Sequence, residues 1–320
     1  MKAERALQPP FSFLQHVQAL GVGALIMFAA RALPLLPDRT PLPPRTSAVQ
    51  FEPVQLEKSG FRPAKLAGAW RLTSADPRFG GFSGLAFDRG QLLGLTDSGA
   101  VARFSKPGDA AVGTAVMTDL PDGPDDAGYR INRDTEALVP DVGGRGWWAS
   151  FEQANEIWLY SADFTKALKR LQFGKKRWPE NAGIEGMAWA NEDLLLAIED
   201  APAVFRLHGS RAVGLPFSGR RHSLSEASRL PDGRLVMIER SLTWQGFRNA
   251  LLIMREERRG YGVARRLELP VGRLDNLEGV AAERLPTGTI RLWMISDDNF
   301  QQPLRTLLIA IDMPPESDRP

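Results

Sequence analysis

The sequence predicts an all-β fold: a β-propeller of four-stranded blades, five visible and a sixth allowed, with the ring closed by an N-terminal strand. Three observations lead there. A short pattern recurs five times: a first strand that opens near an acidic residue, a turn, and a second strand that ends on an acid. Its second positions, Gly84, Glu136, Glu185, Glu226 and Glu278, are spaced 52, 49, 41 and 52 residues apart, the length of a four-stranded blade. The rest of the chain is short apolar runs between Gly, Pro, Asp and Asn, with no long amphipathic helix. Finally, the last copy lacks a fourth strand and the run Lys65–Thr73 lacks a blade, so pairing the two removes an open edge. A β-sandwich would leave no such remnant at both ends.

Each copy can be read in order. The first runs through Phe82–Phe87 and Gln91–Thr96 to Asp97. The second joins Asp134–Leu138 to Gly146–Phe151 and ends on Glu152. The third is Ile184–Ala190, a polar turn, then Leu194–Ile198 and Glu199-Asp200. The fourth turns at Pro231-Asp232-Gly233 and ends on Glu239. The fifth starts at Asn276 and ends on Asp297-Asp298. Third strands are expected at Val101–Ser105, Glu156–Tyr160, Val204–His208, Ala250–Met254 and Leu307–Asp312. Fourth strands are expected at Val112–Thr118, Leu168–Phe173, Ala212–Leu215 and Val263–Leu269, and a degenerate sixth copy could occupy Val112–Asp134. The tryptophans 147, 148, 158, 189, 244 and 293 are expected to pack between blades.

The ends differ from this body. Lys2 and Arg5 precede the apolar stretch Val17–Ala30, followed by Ala30-Arg31-Ala32, the layout of a secretory signal. Residues 1–36 therefore read as a signal peptide or an N-terminal membrane anchor. Residues 37–60 read as a Pro-rich linker, 61–313 as the propeller and 314–320 as a tail. Export is expected, to the periplasm or to the periplasmic face of the inner membrane, with membrane contact through the N-terminal segment.

Composition excludes several chemistries. The 320-residue chain has no cysteine, so disulfides, thiolate nucleophiles and thiolate metal ligands are absent. Only three histidines are present, one of them in the N-terminal apolar segment, which excludes a His-rich zinc site. Net charge is +2 and no basic stripe interleaves with aromatics, so a nucleic-acid partner is not expected.

Carboxylates remain. In a propeller the first strands line the central channel, and the end of a second strand lies beside the start of the first. Glu136, Glu185, Glu226 and Glu278 are thus expected at one mouth with Asp97, Glu152, Glu199, Glu239 and Asp297. Crowded acids repel unless protonated, paired or metal-bound. Oxygen-only ligation suits Ca²⁺ or Mg²⁺, with Glu136, Glu185, Glu226, Glu278 and Asp297 as candidate ligands. The same residues could instead accept hydrogen bonds from neighbouring backbone and simply hold blades together. Glu185, Glu226 and Arg221 are the candidate catalytic groups. Ser83, Asp97, Glu152, Glu199, Arg220, Arg240 and Asp298 are candidates for contacting a small anionic ester substrate. The loop Asp119–Asp134 is acidic but lacks EF-hand spacing. Ser83 could serve a serine esterase, though no base is evident beside it and no G-x-S-x-G elbow exists.

The segments GFSGLAFD (81–88), DTEAL (134–138), GIEGMAW (183–189), SLSEASRLPDGRLVMIER (223–240), NLEGVAA (276–282) and ISDDNF…LRTLLIAIDM (295–313) resemble the esterase-like, phytase-like domain family of exported bacterial proteins. The resemblance spans about residues 61–313. It implies a relation to propeller phytases, calcium-dependent enzymes that hydrolyse phosphate esters. The expected function is metal-assisted hydrolysis of phosphate or other esters, with a non-catalytic binding or envelope-assembly propeller as the alternative.

Overall fold

A computed structural model describes residues 41–108, 110–125, 130–174, 178 and 183–314. The expected signal segment, the first residues of the linker and the end of the tail lie outside these. The described residues are almost entirely strand, and the expected repeat is visible in their pairing.

The first repeat is β3 (Phe82–Asp88), β4 (Gln91–Thr96), β5 (Ala100–Phe104) and β6 (Val112–Asp119), with β1 (Arg45–Pro53) and β2 (Lys65–Ser74) preceding it. The second is β7 (Thr135–Pro140), β8 (Gly146–Phe151), β9 (Glu156–Ser161) and β10 (Ala167–Gln172). The third is β11 (Ile184–Ala190), β12 (Asp193–Ile198), β13 (Ala203–His208) and β14 (Arg211–Ser218). The fourth is β15 (Ser223–Arg229), β16 (Leu235–Thr243), β17 (Gly246–Glu257) and β18 (Gly260–Glu268). Last come β19 (Asn276–Arg284), β20 (Ile290–Asp297) and β21 (Leu307–Asp312). Within each repeat, consecutive strands pair antiparallel.

Local chemistry sets the turns. Arg89 and Gly90 both have positive φ, 50° and 81°, between paired Asp88 and Gln91. That is the twist a two-residue hairpin requires. Second strands such as β12 and β20 are buried on both faces and read as continuous apolar runs.

The first strands neighbour one another in chain order, and β19 neighbours β3. The chain is therefore an all-β fold with propeller-type closure. β2 pairs with β21 as an outer strand, Ala69 opposite Ile309. Between the sheets lie apolar clusters, such as Val236, Ile238, Leu251, Val280, Leu292 and Ile309. Between Asp119 and Asp134 the described residues contain a 3-10 turn, Arg130–Arg133, and no strand.

Three expectations are corrected. Part of the 37–60 linker is not a spacer: β1 pairs with β2 on one side and β6 on the other. Its alternation buries Val49 and Phe51, and Gly113 makes room for the Phe51 ring, which lies 2.6 Å from where a Cβ would stand. The expected membrane contact is withdrawn as well. Among the described residues no helix is long and apolar enough to cross a bilayer, and residues 1–36, which carried that expectation, lie outside them. Lastly, Trp147, Trp148, Trp158 and Trp293 are buried and Trp189 partly so, but Trp244 is 88% exposed at a hairpin tip.

Candidate functional site

Every first strand carries a register shift at its start. The shifts fall between Phe82 and Gly84, Thr135 and Leu138, Ile184 and Gly186, Leu224 and Glu226, and Leu277 and Gly279. A bulge of this kind re-aims a side chain. The residues it re-aims are Ser83, Glu136, Glu185, Ser225 and Glu278. Glu226 is therefore not equivalent to Glu185; it occupies the next position, held by Gly84, Gly186 and Gly279 elsewhere.

That next position is where inner strands touch. A Cβ on Gly186 would stand 2.7 Å from the Ala227 nitrogen, and one on Gly279 would stand 2.8 Å from Leu85 Cβ. Gly84 gives Glu226 room: a Cβ there would meet Glu226 Oε2 at 3.3 Å. The Glu226 carboxyl is 1% exposed. Oε1 accepts the Ala227 N–H at 2.8 Å, and the Leu85 and Met187 N–H groups also face the carboxyl. Burial raises its pKa well above the usual carboxylate range, and those N–H groups oppose the rise. Ser83 and Ser225 have matching jobs: each donates to the inner strand of the next repeat, to Thr135 O at 2.6 Å and Leu277 O at 3.0 Å.

Glu136, Glu185 and Glu278, with Glu152 and Glu199 from the second-strand ends, form the acidic mouth. Arg240 enters it from β16. Its Nη1 donates to the Glu278 carboxylate and to Asn276 Oδ1, and its Nη2 lies 3.8 Å from Glu199. Burial acts to lower the Arg240 pKa, but Glu278, Glu185, Glu199 and Glu136 outweigh it and hold the guanidinium charged. Glu185 is pushed well upward by burial, then by Glu199 and Glu152. Glu199 is raised by burial, against the pull of Arg240.

A second grouping adjoins these groups, sharing Glu136, whose charge acts on Arg240. Asp134, Glu136 and Glu152 each offer an oxygen within 4.8 Å of the others. Burial, then Asp134, pushes Glu152 up to about 8. Burial, then Glu185 and Asp134, raises Glu136 well above its usual range. An oxygen-only donor set fits a hard divalent cation, so these three residues could coordinate a metal ion. Asp134 is not among the residues the sequence singles out; the signal for it is the Asp-x-Glu spacing at the start of β7. The Glu152 N–H donates to Asp134 O at 2.9 Å, which holds the two chain segments together.

The other candidate residues are engaged in structure. Asp297 is buried; Asn299 N donates to it at 2.6 Å, and burial, Glu278 and Asp97 raise its pKa well above normal. Asp298 accepts from Gly81 N at 2.9 Å and Thr306 Oγ1 at 2.9 Å, latching the last loop to the first repeat. Asp97 N donates to Gly81 O at 2.8 Å. Glu239 is buried, yet Arg266 and the Arg221 N–H outweigh burial and lower its pKa. The Arg221 side chain turns outward, 3.6 Å from Glu268. Arg220 donates to the carbonyls of Glu199 and Asp200 at 2.8 and 3.0 Å.

No curated protein sequence matches the chain. Among solved structures, the chain is similar to glutaminyl cyclase of Myxococcus xanthus, with 13% identity over 78% of this chain and 96% of that one and a TM-score of 0.49. It is also similar to a protein of unknown function from Bacteroides caccae, with 9% identity over 83% of this chain and 99% of that one and a TM-score of 0.43. A family model described as "Phytase-like: Esterase-like activity of phytase" matches residues 77–300, well over half of the chain, and the protein belongs to that phytase-like family.

Proposed function

We propose that the protein is an exported, five-bladed phytase-like propeller that hydrolyses phosphate or other esters with the help of a divalent cation, Ca²⁺ by preference. The observation that carries this reading is the Asp134–Glu136–Glu152 grouping, three carboxylates that each offer an oxygen within 4.8 Å of the others. Five blades are supported by the chain-order contacts of the first strands, and ring closure by the β2–β21 pairing. Export is supported by Lys2 and Arg5 ahead of Val17–Ala30.

In this reading Asp134, Glu136 and Glu152 hold the cation. When bound, it supplies Lewis-acid polarisation of a phosphoryl or acyl oxygen and lowers the pKa of water. Arg240, kept charged among the glutamates, orients the anionic part of the ester. Glu185, whose pKa is pushed upward by burial and then by Glu199, is the group proposed to protonate a leaving alcohol. Glu226 and Arg221 drop out of the catalytic set, because one is buried with its Oε1 held by the Ala227 N–H and the other faces outward. The serine-esterase alternative loses its nucleophile, since buried Ser83 donates to Thr135 O.

The rival reading, a non-catalytic propeller, draws on the fold-holding bonds of Ser83, Glu226, Glu239 and Asp298. One experiment separates the two: hydrolysis of 4-nitrophenyl phosphate and 4-nitrophenyl acetate with Ca²⁺ and with chelator. Calcium-dependent turnover supports the hydrolase; no turnover of either ester under any condition favours the binding module.

A further inference from the structure

The β16–β17 hairpin is longer than its counterparts. Leu95, Ala197 and Ile238 occupy the same register step, opposite Gly84, Gly186 and Glu226. β4 and β12 end one residue later, at Thr96 and Ile198, whereas β16 continues to Thr243. Second strands run toward the acidic mouth, so the extension stands out beyond that mouth.

The extension is braced. Thr243 pairs with Gly246 around the two-residue tip Trp244-Gln245. Thr243 Oγ1 donates to Gly246 O at 2.7 Å and accepts from Gln245 N at 3.2 Å. The base packs on the β18–β19 connection: Gly272 N donates to Phe247 O at 2.8 Å, and a Cβ on Gly246 would stand 3.0 Å from Gly272 Cα. Gly246 and Gly272 also have positive φ, 104° and 66°. A docked hairpin holds its side chains in fixed places.

Alternation along β16 puts Arg240 and Leu242 on one face, and Trp244 stands in the turn directly beyond them. Phe247, directly opposite Leu242, belongs to the same face. Trp244 is 88% exposed, Leu242 37% exposed, and Phe247 partly buried. The stripe thus begins at the charged guanidinium in the mouth and continues outward as apolar surface for four residues, about 13 Å. A braced, fully presented tryptophan in line with a charged group is the layout of an amphiphile's binding strip.

Resting on the proposed hydrolase reading, we infer that the substrate is an ester with an extended apolar arm, whose head enters the mouth beside Arg240 and whose arm lies on Leu242, Phe247 and Trp244. Trp244 determines which esters bind well; it is not a catalytic residue.

The test is calorimetric titration of the full chain, with Ca²⁺ present, against octyl phosphate and against inorganic phosphate. The wild-type protein is expected to bind octyl phosphate about tenfold more tightly than phosphate. Trp244→Ala should remove most of that advantage, and Trp244→Phe should keep most of it. Because Trp244 is exposed, both variants should melt with the wild type. Equal affinity of the wild type for the two ligands, or an undiminished advantage in Trp244→Ala, overturns the inference. Octyl phosphate that binds as described but is never hydrolysed removes the hydrolase reading and leaves the strip standing. Hydrolysis of short esters with no contribution from Trp244 does the reverse.

Discussion

Arg240, on the fourth repeat, donates to the Glu278 carboxylate on the fifth, and this pair stands in the acidic mouth. There Glu278 and Glu199 have a cation from the protein itself. Asp134, Glu136 and Glu152 gather as a second cluster in the same mouth, close enough for the Glu136 charge to act on that guanidinium.

Removing that guanidinium should be costly. Arg240→Met leaves Glu278 buried beside Glu185 and Glu199 with no positive partner, a loss of about 3–5 kcal/mol for a broken buried pair. Urea unfolding at neutral pH measures it. A change under about 1 kcal/mol would mean the pair is screened like a surface bridge.

Glu152 should make stability depend on pH in a particular direction. Its pKa rises from an ordinary 4.5 to about 8 in the fold, so the folded state binds the extra proton between those values. Stability from this group is full below about pH 4.5 and falls as pH rises toward 8. In chelator, the melting temperature should drop over that interval. Glu152→Gln should flatten the slope, and Ca²⁺ should offset the drop at the alkaline end. A slope unaffected by Glu152→Gln would contradict this.

Glu226 should behave as a structural carboxyl. Glu226→Gln mimics the protonated group and keeps an acceptor for the Ala227 N–H, so it should cost less than about 1 kcal/mol. Glu226→Ala strands that N–H and opens a cavity against Gly84, a loss of about 2–3 kcal/mol. Neither variant should change Ca²⁺ affinity. Denaturant melts paired with calcium titrations would show it, and weakened calcium binding in Glu226→Gln would restore Glu226 to the ligand set.

The linker correction has its own test. Phe51→Ala removes a buried ring from a strand held on both sides, and should cost about 3 kcal/mol or more. A silent mutation would mean that β1 contributes little to the closed sheet.

The repeat was legible because its strands are short, apolar and regularly spaced, and because Gly and Asp mark the turns. The 41-residue step from Glu185 to Glu226 fits a blade even though the two residues are not equivalent. Apolar spacing cannot reveal a bulge: a Ser-Glu and a Glu-Gly sequence look alike until the register of β15 against β16 distinguishes them. The burden of backbone contacts on Ser83, Glu226 and Asp298 was hidden for the same reason, since hydrogen-bond partners come from other repeats. β1 was hidden by the prolines just before it, Pro41, Pro43 and Pro44, which outweighed the brief alternation of Val49 and Phe51. Asp134 is obscured because a pattern of one acid per copy passes over a second acid two residues earlier. The location of the acids at one mouth, by contrast, follows from antiparallel pairing alone.

The central claim is a cation site formed by Asp134, Glu136 and Glu152. Isothermal titration of the full chain with Ca²⁺, alongside Glu136→Gln, tests it most directly. One saturable site in the wild type that is lost or weakened at least about tenfold in Glu136→Gln is the predicted result. Undiminished binding in Glu136→Gln, or no binding in the wild type, would contradict it.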